Sequence, residues 1–368
     1  MPPTLLHVFA TFAVGGPQVR FAAIANHFGP RWRHLIVAMD GNVAARERLD
    51  PGLDVGFPEI VIRKGDTLGN VRRFRAALRG LRPDALLTNN WGSIEWVMAN
   101  RLAALTGGGI RQVHIEDGFG PEERSRQLPR RAITRRVVLH RRLVVLPSRS
   151  LWDIATGVWR LDPRFLHYVP NGIDLSRFSQ NPEADVPWPR DLPVIGTVSA
   201  LRPEKNIARL IRAFGLLGDV PARLVIVGDG PERAALEAAA AATTGGATGA
   251  LSRIAFAGHS PNPASLLGGF DIFALSSDTE QMPLSVLEAM AAGLPVAATD
   301  VGDLRSMLAP ENEPFLASLD DAVLAETLRA LLAVPAHWPA IGTANRARAE
   351  AEFDQATMFE AWNALFKG

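Results

Sequence analysis

The sequence predicts an α/β protein made of two doubly wound parallel sheets that face each other across a cleft, and three observations carry this reading. Short β-rich apolar runs alternate with helical patterns from end to end, the signature of parallel strands joined by crossover helices. The chain has 368 residues, 47% of them hydrophobic, too many for one typical domain and apolar enough to offset its ordering entropy by burial. Near the middle, Val169-Pro170-Asn171-Gly172-Ile173 interrupts the alternation with a Pro/Asn/Gly cluster that reads as a linker. Domains are therefore expected over 1–168 and 172–349, with a C-terminal helix from about 350 to 368 packing back on the first.

The first apolar run, Leu5 to Val14, leads straight into Gly15-Gly16; it lacks a basic leader and is too short to cross a bilayer, so it reads as a buried strand, Leu5–Phe12. Strands are then expected at Leu35–Met39, Glu59–Arg63, Ala85–Thr88, Gln112–Ile115 and Leu143–Pro147, with helices at Gln18–Phe28, Leu68–Leu81 and Ser93–Leu105. The second half repeats the scheme with strands at Val194–Val198, Arg223–Val227, Ile254–Ala257, Asp271–Leu275 and Pro295–Ala298. Its helices are expected at Asn206–Leu217, Pro231–Ala242, Ser285–Ala292 and Asp320–Leu332. The Ala-rich end of the second of these runs into a loop over Thr243–Gly249. The tail from Ala344 to Phe366 reads as helix, its apolar face formed by Phe353, Met358, Phe359, Trp362 and Phe366. No stretch reaches the roughly 18 apolar residues of a membrane span. The expected location is the cytoplasm, at most peripheral on the inner face of the membrane.

Zero cysteines exclude a disulfide scaffold, thiolate catalysis and cysteine-ligated metal, and no ligand-spaced cluster points to a metal site. The net charge of +1 conceals an asymmetry: up to Pro170 there are 25 basic and 14 acidic residues, and beyond it 14 and 24. That bias suggests an anionic partner or surface for the first half. Only Lys64, Lys205 and Lys367 are lysines in this Arg-biased chain, so each is a candidate compact point charge.

The segment from Ser276 to Val296 holds the most chemistry. A strand ends at Leu275, a loop carries Glu280, Gln281 and Met282, and Pro283 stands where a helix begins. The amides of Leu284 and Ser285 then fall in the first helical turn, suited with the helix dipole to an anion such as a diphosphate. Glu280 and Glu288 bracket that helix start, and carboxylates accept hydrogen bonds from sugar and ribose hydroxyls. An unpaired Glu288 inside so apolar a helix would be unfavourable, which argues against a merely structural role.

These residues resemble the family 4 retaining glycosyltransferases of the GT-B fold, which is built from two Rossmann-like domains. That family's signature is Glu, seven residues, Glu, then Ala-Met-Ala-x-Gly-x-Pro-Val. Glu280 and Glu288 have this spacing, and Ala289 to Val296 match throughout. Supporting matches are Val169–Asp174, Leu201-Arg202-Pro203-Glu204-Lys205-Asn206 and Val227-Gly228-Asp229-Gly230-Pro231. The resemblance implies that Glu280 contacts the donor sugar, Glu288 the nucleotide ribose, and Lys205 the diphosphate, with Gly228 and Gly230 bordering the nucleotide. The family arginine two residues before Arg202 is replaced here by Ala200, so Arg202 either reaches the phosphates or is a solvent-exposed cation. Gln281 stands where glycine is commoner and is expected to shape donor choice.

In the first half, Gly15 and Gly16 follow a strand and read as a tight turn or, through the resemblance, as a loop beside donor and acceptor. His114, Glu116 and Asp117 cluster at a strand's carboxyl end and enter as one catalytic hypothesis, together with Glu280. The family places a histidine that contacts the donor sugar here. Alignment on Gly118 puts Asp117 at its position, whereas alignment on His114 gives another frame. Asn89, Asn90 and Trp91 end the preceding strand and are acceptor-side candidates. Eight arginines between Arg124 and Arg142, interleaved with aliphatic residues, suit an anionic membrane surface or a lipid-linked phosphate; the alternative is an ordinary solvated helix face. Nucleic acid is not expected, because no aromatic stacking run or recognition motif accompanies the charge.

The expected function is transfer of a sugar from a nucleoside-diphosphate sugar to a hydroxyl of a polysaccharide, lipid-linked or lipid acceptor, with retention and with no metal or other cofactor. The alternatives are a GT-B sugar-nucleotide epimerase, which normally lacks the paired glutamates, and a non-catalytic subunit that binds nucleotide sugar or membrane.

Overall fold

In the computed structural model, which describes residues 2–123, 127–178, 186–243, 253–260 and 262–367, every strand pairing is parallel. Strands β1 (Thr4–Phe9), β2 (Arg33–Ala38), β3 (Val55–Gly56), β4 (Ala85–Asn89), β5 (Arg111–Ile115), β6 (Leu143–Leu146) and β7 (Leu166–Tyr168) form one sheet in the order β3-β2-β1-β4-β5-β6-β7. Strands β8 (Val194–Val198), β9 (Arg223–Val227), β10 (Ile254–Gly258), β11 (Ile272–Leu275), β12 (Val296–Thr299) and β13 (Leu316–Ala317) form a second, ordered β10-β9-β8-β11-β12-β13. Central strands such as β4 and β9 are buried at every position, as expected of sheets covered on both faces by helices.

The chain divides into two compact units, Met1–Pro170 with Phe359–Gly368, and Asn171–Met358. In the first, α1 (Gly16–Phe28), α2 (Thr67–Leu81), α3 (Ile94–Ala104), α4 (Pro129–Val138) and α5 (Arg149–Gly157) connect the strands. Side-chain caps fix two of the helix starts: Asp66 accepts from the Gly69 amide and Ser148 from Leu151. Phe74 of α2 stacks on Trp96 of α3 with ring centroids 4.3 Å apart. The second unit contains α6 (Ile207–Gly215), α7 (Arg233–Thr243), α8 (Ala264–Leu267), α9 (Leu284–Ala291), α10 (Leu304–Met307), α11 (Asp321–Leu332) and α12 (Trp338–Glu352). The last helix, α13 (Gln355–Lys367), begins in the second unit and passes at Phe359 into the first.

In each sheet the strand order reverses once, between β1 and β4 and between β8 and β11. The loops at the carboxyl ends of those pairs are where open parallel sheets collect ligands. They hold Gly15, Asn89 to Trp91, Arg202, Lys205 and Glu280.

Three expectations need correction. The first strand ends at Phe9, and Phe12 is buried by packing on Phe9 and Phe21 rather than by strand pairing. Glu59–Arg63 is not a strand: its alternation is real, with Ile60 and Ile62 packed on the core, but the edge position belongs to Val55–Gly56 beside β2. The tail is two helices, not one. It breaks at Phe353–Asp354, where the Ile173 amide donates to the Phe353 carbonyl at 2.8 Å and the Gln355 amide to the Ile173 carbonyl at 3.0 Å. The loop expected over Thr243–Gly249 lies, beyond Thr243, outside the described residues.

Candidate functional site

In the second unit, the loops after β8 and β11 are tied together before any ligand is considered. Asn206 adopts the left-handed φ of 42°, caps α6 by accepting from the Arg209 amide, and donates to Asp278 at 2.9 Å. Arg209, one turn into α6, meets Asp278 at 2.6 Å with both side chains nearly buried, and donates to the Ser276 carbonyl at 2.9 Å. These contacts bring Lys205 and Glu280 together: Lys205 Nζ lies 2.5 Å from Glu280 Oε1, and Ser277 Oγ donates to the same oxygen at 2.6 Å. Gly302, at φ 60°, passes under this loop; a Cβ there would stand 2.3 Å from the Glu280 carbonyl oxygen. Next to it, the Asp303 amide donates to the Gln281 carbonyl at 2.9 Å.

Met282 is buried, and its carbonyl accepts from Asn171 Nδ2 at 2.9 Å. Pro283 caps α9 in an extended conformation without a side-chain cap, so the helix opens with the amides of Leu284 and Ser285. Glu288, half-buried, is one turn further along the same face as Leu284. Gly228 has φ 140°, and a Cβ there would fall 1.8 Å from the Ser199 carbonyl oxygen; a Cβ on Gly230 would fall 2.4 Å from the Leu201 carbonyl oxygen. Both glycines thus let β9's loop press on the segment that leads to Lys205. Arg202 is exposed on the turn before Pro203–Lys205.

In the first unit, the structure separates the three clustered titratable groups. His114 is fully buried, with Nδ1 2.9 Å from Thr88 Oγ1 and Nε2 3.3 Å from Glu116 Oε2. Glu116 is equally enclosed and takes two bonds from Arg135, at 3.1 and 3.3 Å, while Arg135 also meets Glu123 at 3.2 Å. Burial by itself would raise the Glu116 carboxyl; the Arg135 charge and hydrogen bonds from His114 and Arg135 outweigh it and hold the group below the usual carboxylate range. Enclosed in this way, His114 and Glu116 link β4, β5 and α4. Asp117 differs. It emerges from β5 into the loop, where Arg20 grips its carboxylate at 2.6 and 3.0 Å and Asn90 Oδ1 accepts from its amide at 2.6 Å.

Asn89 is buried and directs its amide to the Val8 carbonyl at 3.0 Å, tying β4 to β1. Trp91 carries the guanidinium groups of Arg131 and Arg135 at 4.9 and 5.1 Å from its ring centroid. Gly15 is the extended cap of α1 and Gly16 its first, exposed residue. The arginine cluster also needs correction. Arg135 is fully buried and Arg131 pairs with Glu122 and Glu123, so neither lies on an open face. Arg130, Arg136 and Arg141 are exposed, while Arg124 and Arg126 lie outside the described residues.

Sequence reasoning missed Arg20, Ser277, Arg209, Asp278 and Gly302. Arg20 and Asp117 are 97 residues apart, a distance no local pattern bridges. Among the described residues, no group of three or more His, Asp or Glu could hold a metal ion, and no helix is long and apolar enough to cross a membrane.

The family model described as Glycosyltransferase Family 4 matches residues 14–177, and that described as Glycosyl transferases group 1 matches residues 192–334. A GDP-mannose-dependent alpha-mannosyltransferase of Mycobacterium tuberculosis is 35% identical over 176 residues, 46% of this chain. The chain spans only 42% of that relative's length. A 2-deoxystreptamine N-acetyl-D-glucosaminyltransferase of Streptomyces fradiae is 27% identical over 343 residues, 84% of this chain and 80% of the relative. Among solved structures, Anabaena HepE in complex with UDP superimposes with a TM-score of 0.79 at 18% identity, covering 100% of both chains. Sucrose-phosphate synthase from Thermosynechococcus elongatus gives 0.78 at 19% identity, covering 99% of this chain and 98% of the other. At such identities the likeness shows the fold, which is GT-B. The chain belongs to glycosyltransferase family 4.

Proposed function

We propose that the chain transfers a glycosyl group from a nucleoside-diphosphate sugar to an acceptor hydroxyl with retention of configuration. The observation that carries this is the Lys205–Glu280 pair, held by Ser277 one loop before the uncapped start of α9. Lys205 and the amides of Leu284 and Ser285 take the diphosphate, where charge grows as it leaves. Glu280 accepts hydrogen bonds from the donor sugar and Glu288 from the ribose; Gln281 and Met282 shape the sugar's seat. Asp117 is the first unit's candidate for the reacting sugar, and Asn90 and Trp91 are its acceptor-side candidates. The bond between the anomeric carbon and the phosphate oxygen breaks, the acceptor oxygen bonds to the same face, and its proton passes to the departing phosphate. This reading assigns the neutralisation of the diphosphate to protein groups and includes no metal step.

The acceptor is a sugar, lipid-linked or lipid molecule presented at an anionic membrane. Support for the membrane lies on α4, where Arg130 and Arg136 flank Ile133 and Val137, exposed by 63% and 60%. Beside them, Gln127, Pro129, Ala132, Ile133 and Val158 line an apolar groove of about 420 Å³.

Incubation with labelled GDP-mannose, UDP-glucose and UDP-N-acetylglucosamine tests the reading. Release of nucleoside diphosphate is expected; an altered sugar still bound to nucleotide would indicate an epimerase, and no turnover a binding subunit.

A further inference from the structure

Arg20 sits on α1 with 6% of its surface exposed, and both ends of its guanidinium are used. Nη1 and Nη2 grip the two oxygens of Asp117 at 2.6 and 3.0 Å, and the guanidinium carbon lies 5.9 Å from the ring centroid of Trp362 on α13. The same Asp117 is held through its backbone, because its amide donates to Asn90 Oδ1 at 2.6 Å. Asn90 makes that contact from φ 56° and ψ −179°, a region that residues with a side chain rarely occupy. Strain of this kind persists where the surroundings over-determine a residue, and here it serves the orientation of Asp117.

A carboxylate at the end of a loop keeps two free torsions. A planar two-pronged donor removes both, which a point charge cannot do. We infer that Arg20 is a positioning residue: it fixes the Asp117 carboxylate for the reacting sugar and is itself set by Trp362. The inference rests on the proposed role of Asp117. Arg20 acts through that carboxylate.

The test is a double-mutant cycle on nucleotide release from GDP-mannose, UDP-glucose and UDP-N-acetylglucosamine, with melting temperatures measured alongside. Asp117→Asn and Arg20→Met are each expected to lower kcat by on the order of tenfold or more with little change in the donor KM. The double variant should be no slower than Asp117→Asn, and Arg20→Lys should regain only part of the loss while melting close to the wild type. Losses that multiply in the double variant overturn the inference and leave the role of Asp117 standing. So does an Arg20→Met activity that falls only in step with its folded fraction, or an Arg20→Lys variant as fast as wild type. Full turnover in Asp117→Asn, or no turnover of any donor by the wild type, removes the reading beneath the inference and the inference with it.

Discussion

Lys205 Nζ lies 2.5 Å from Glu280 Oε1, an oxygen that also accepts from Ser277 Oγ. The ammonium assigned to the diphosphate is therefore already engaged by the carboxylate assigned to the sugar. Binding of a nucleoside diphosphate must compete with Glu280 for that charge, whereas a complete donor offers the carboxylate new hydroxyl partners. Glu280→Gln separates the two effects. Calorimetry should find the variant binding GDP or UDP several-fold more tightly, by roughly 1 kcal/mol, while losing the additional affinity that the sugar gives the parent protein. Equal losses for nucleotide and nucleotide sugar would contradict this competition.

The Arg209–Asp278 pair, 2.6 Å long with side chains 9% and 7% exposed, holds the two loops that present Lys205 and Glu280. Removing one partner strands a nearly buried charge, a change that costs about 3–5 kcal/mol. Urea unfolding of Arg209→Met should show a loss of that order, and Arg209→Met with Asp278→Leu a smaller one. A single variant as stable as the parent would show that the loops are held by other contacts.

His7 Nε2 and His34 Nδ1 are 3.1 Å apart inside the first unit. Burial lowers both rings, His34 to about 4 despite Asp54, and His7 well below its usual value with His34 adding to the effect. Because the folded values are depressed, the unfolded chain binds more protons below the unperturbed pKa of about 6.5. Stability is therefore complete at neutral pH and falls as pH drops from about 6.5 towards 4, by up to about 1.4 kcal/mol per pH unit for each ring. Melting temperatures between pH 8 and 5 should show this decline, and His34→Gln should flatten it. A melting temperature independent of pH over that interval would be inconsistent with a buried neutral pair.

On α4 the arginines divide into two kinds. Arg130 and Arg136 are open to solvent, whereas Arg135 lies under Trp91, Phe119 and Trp159 and between Glu116 and Glu123. Arg130→Gln and Arg136→Gln should each weaken binding to vesicles containing phosphatidylserine by about 1 kcal/mol and leave the melting temperature unchanged. Arg135→Gln should instead lower the melting temperature by stranding the buried carboxylates. Sedimentation that is equal on neutral and anionic vesicles would exclude the membrane as the partner of this face.

The alternation of strands and helices was legible because fully buried parallel strands read as continuous apolar runs, as at Arg223–Val227. Edge strands were not: Val55–Gly56 and Leu316–Ala317 have two residues each, too few to form a pattern. The break between α12 and α13 is set by Ile173, about 180 residues away in sequence, so no period within the tail announces it. At the site, the spacing of Glu280 and Glu288 around Pro283 could be read because helix starts are local chemistry. The separation of Asp117 from His114 and Glu116 could not, since it depends on Arg20 and Arg135 arriving from other elements.

Lys205, beside the start of α9, is assigned the diphosphate of a nucleotide-sugar donor. The decisive measurement is nucleotide release from GDP-mannose, UDP-glucose and UDP-N-acetylglucosamine by the wild type and by Lys205→Ala. Loss of a charge-assisted contact worth about 1.5–3 kcal/mol predicts turnover of at least one donor by the wild type and a decrease of roughly 10- to 150-fold in kcat/KM for the variant. Release from none of the three, or equal rates for the two proteins, would contradict it.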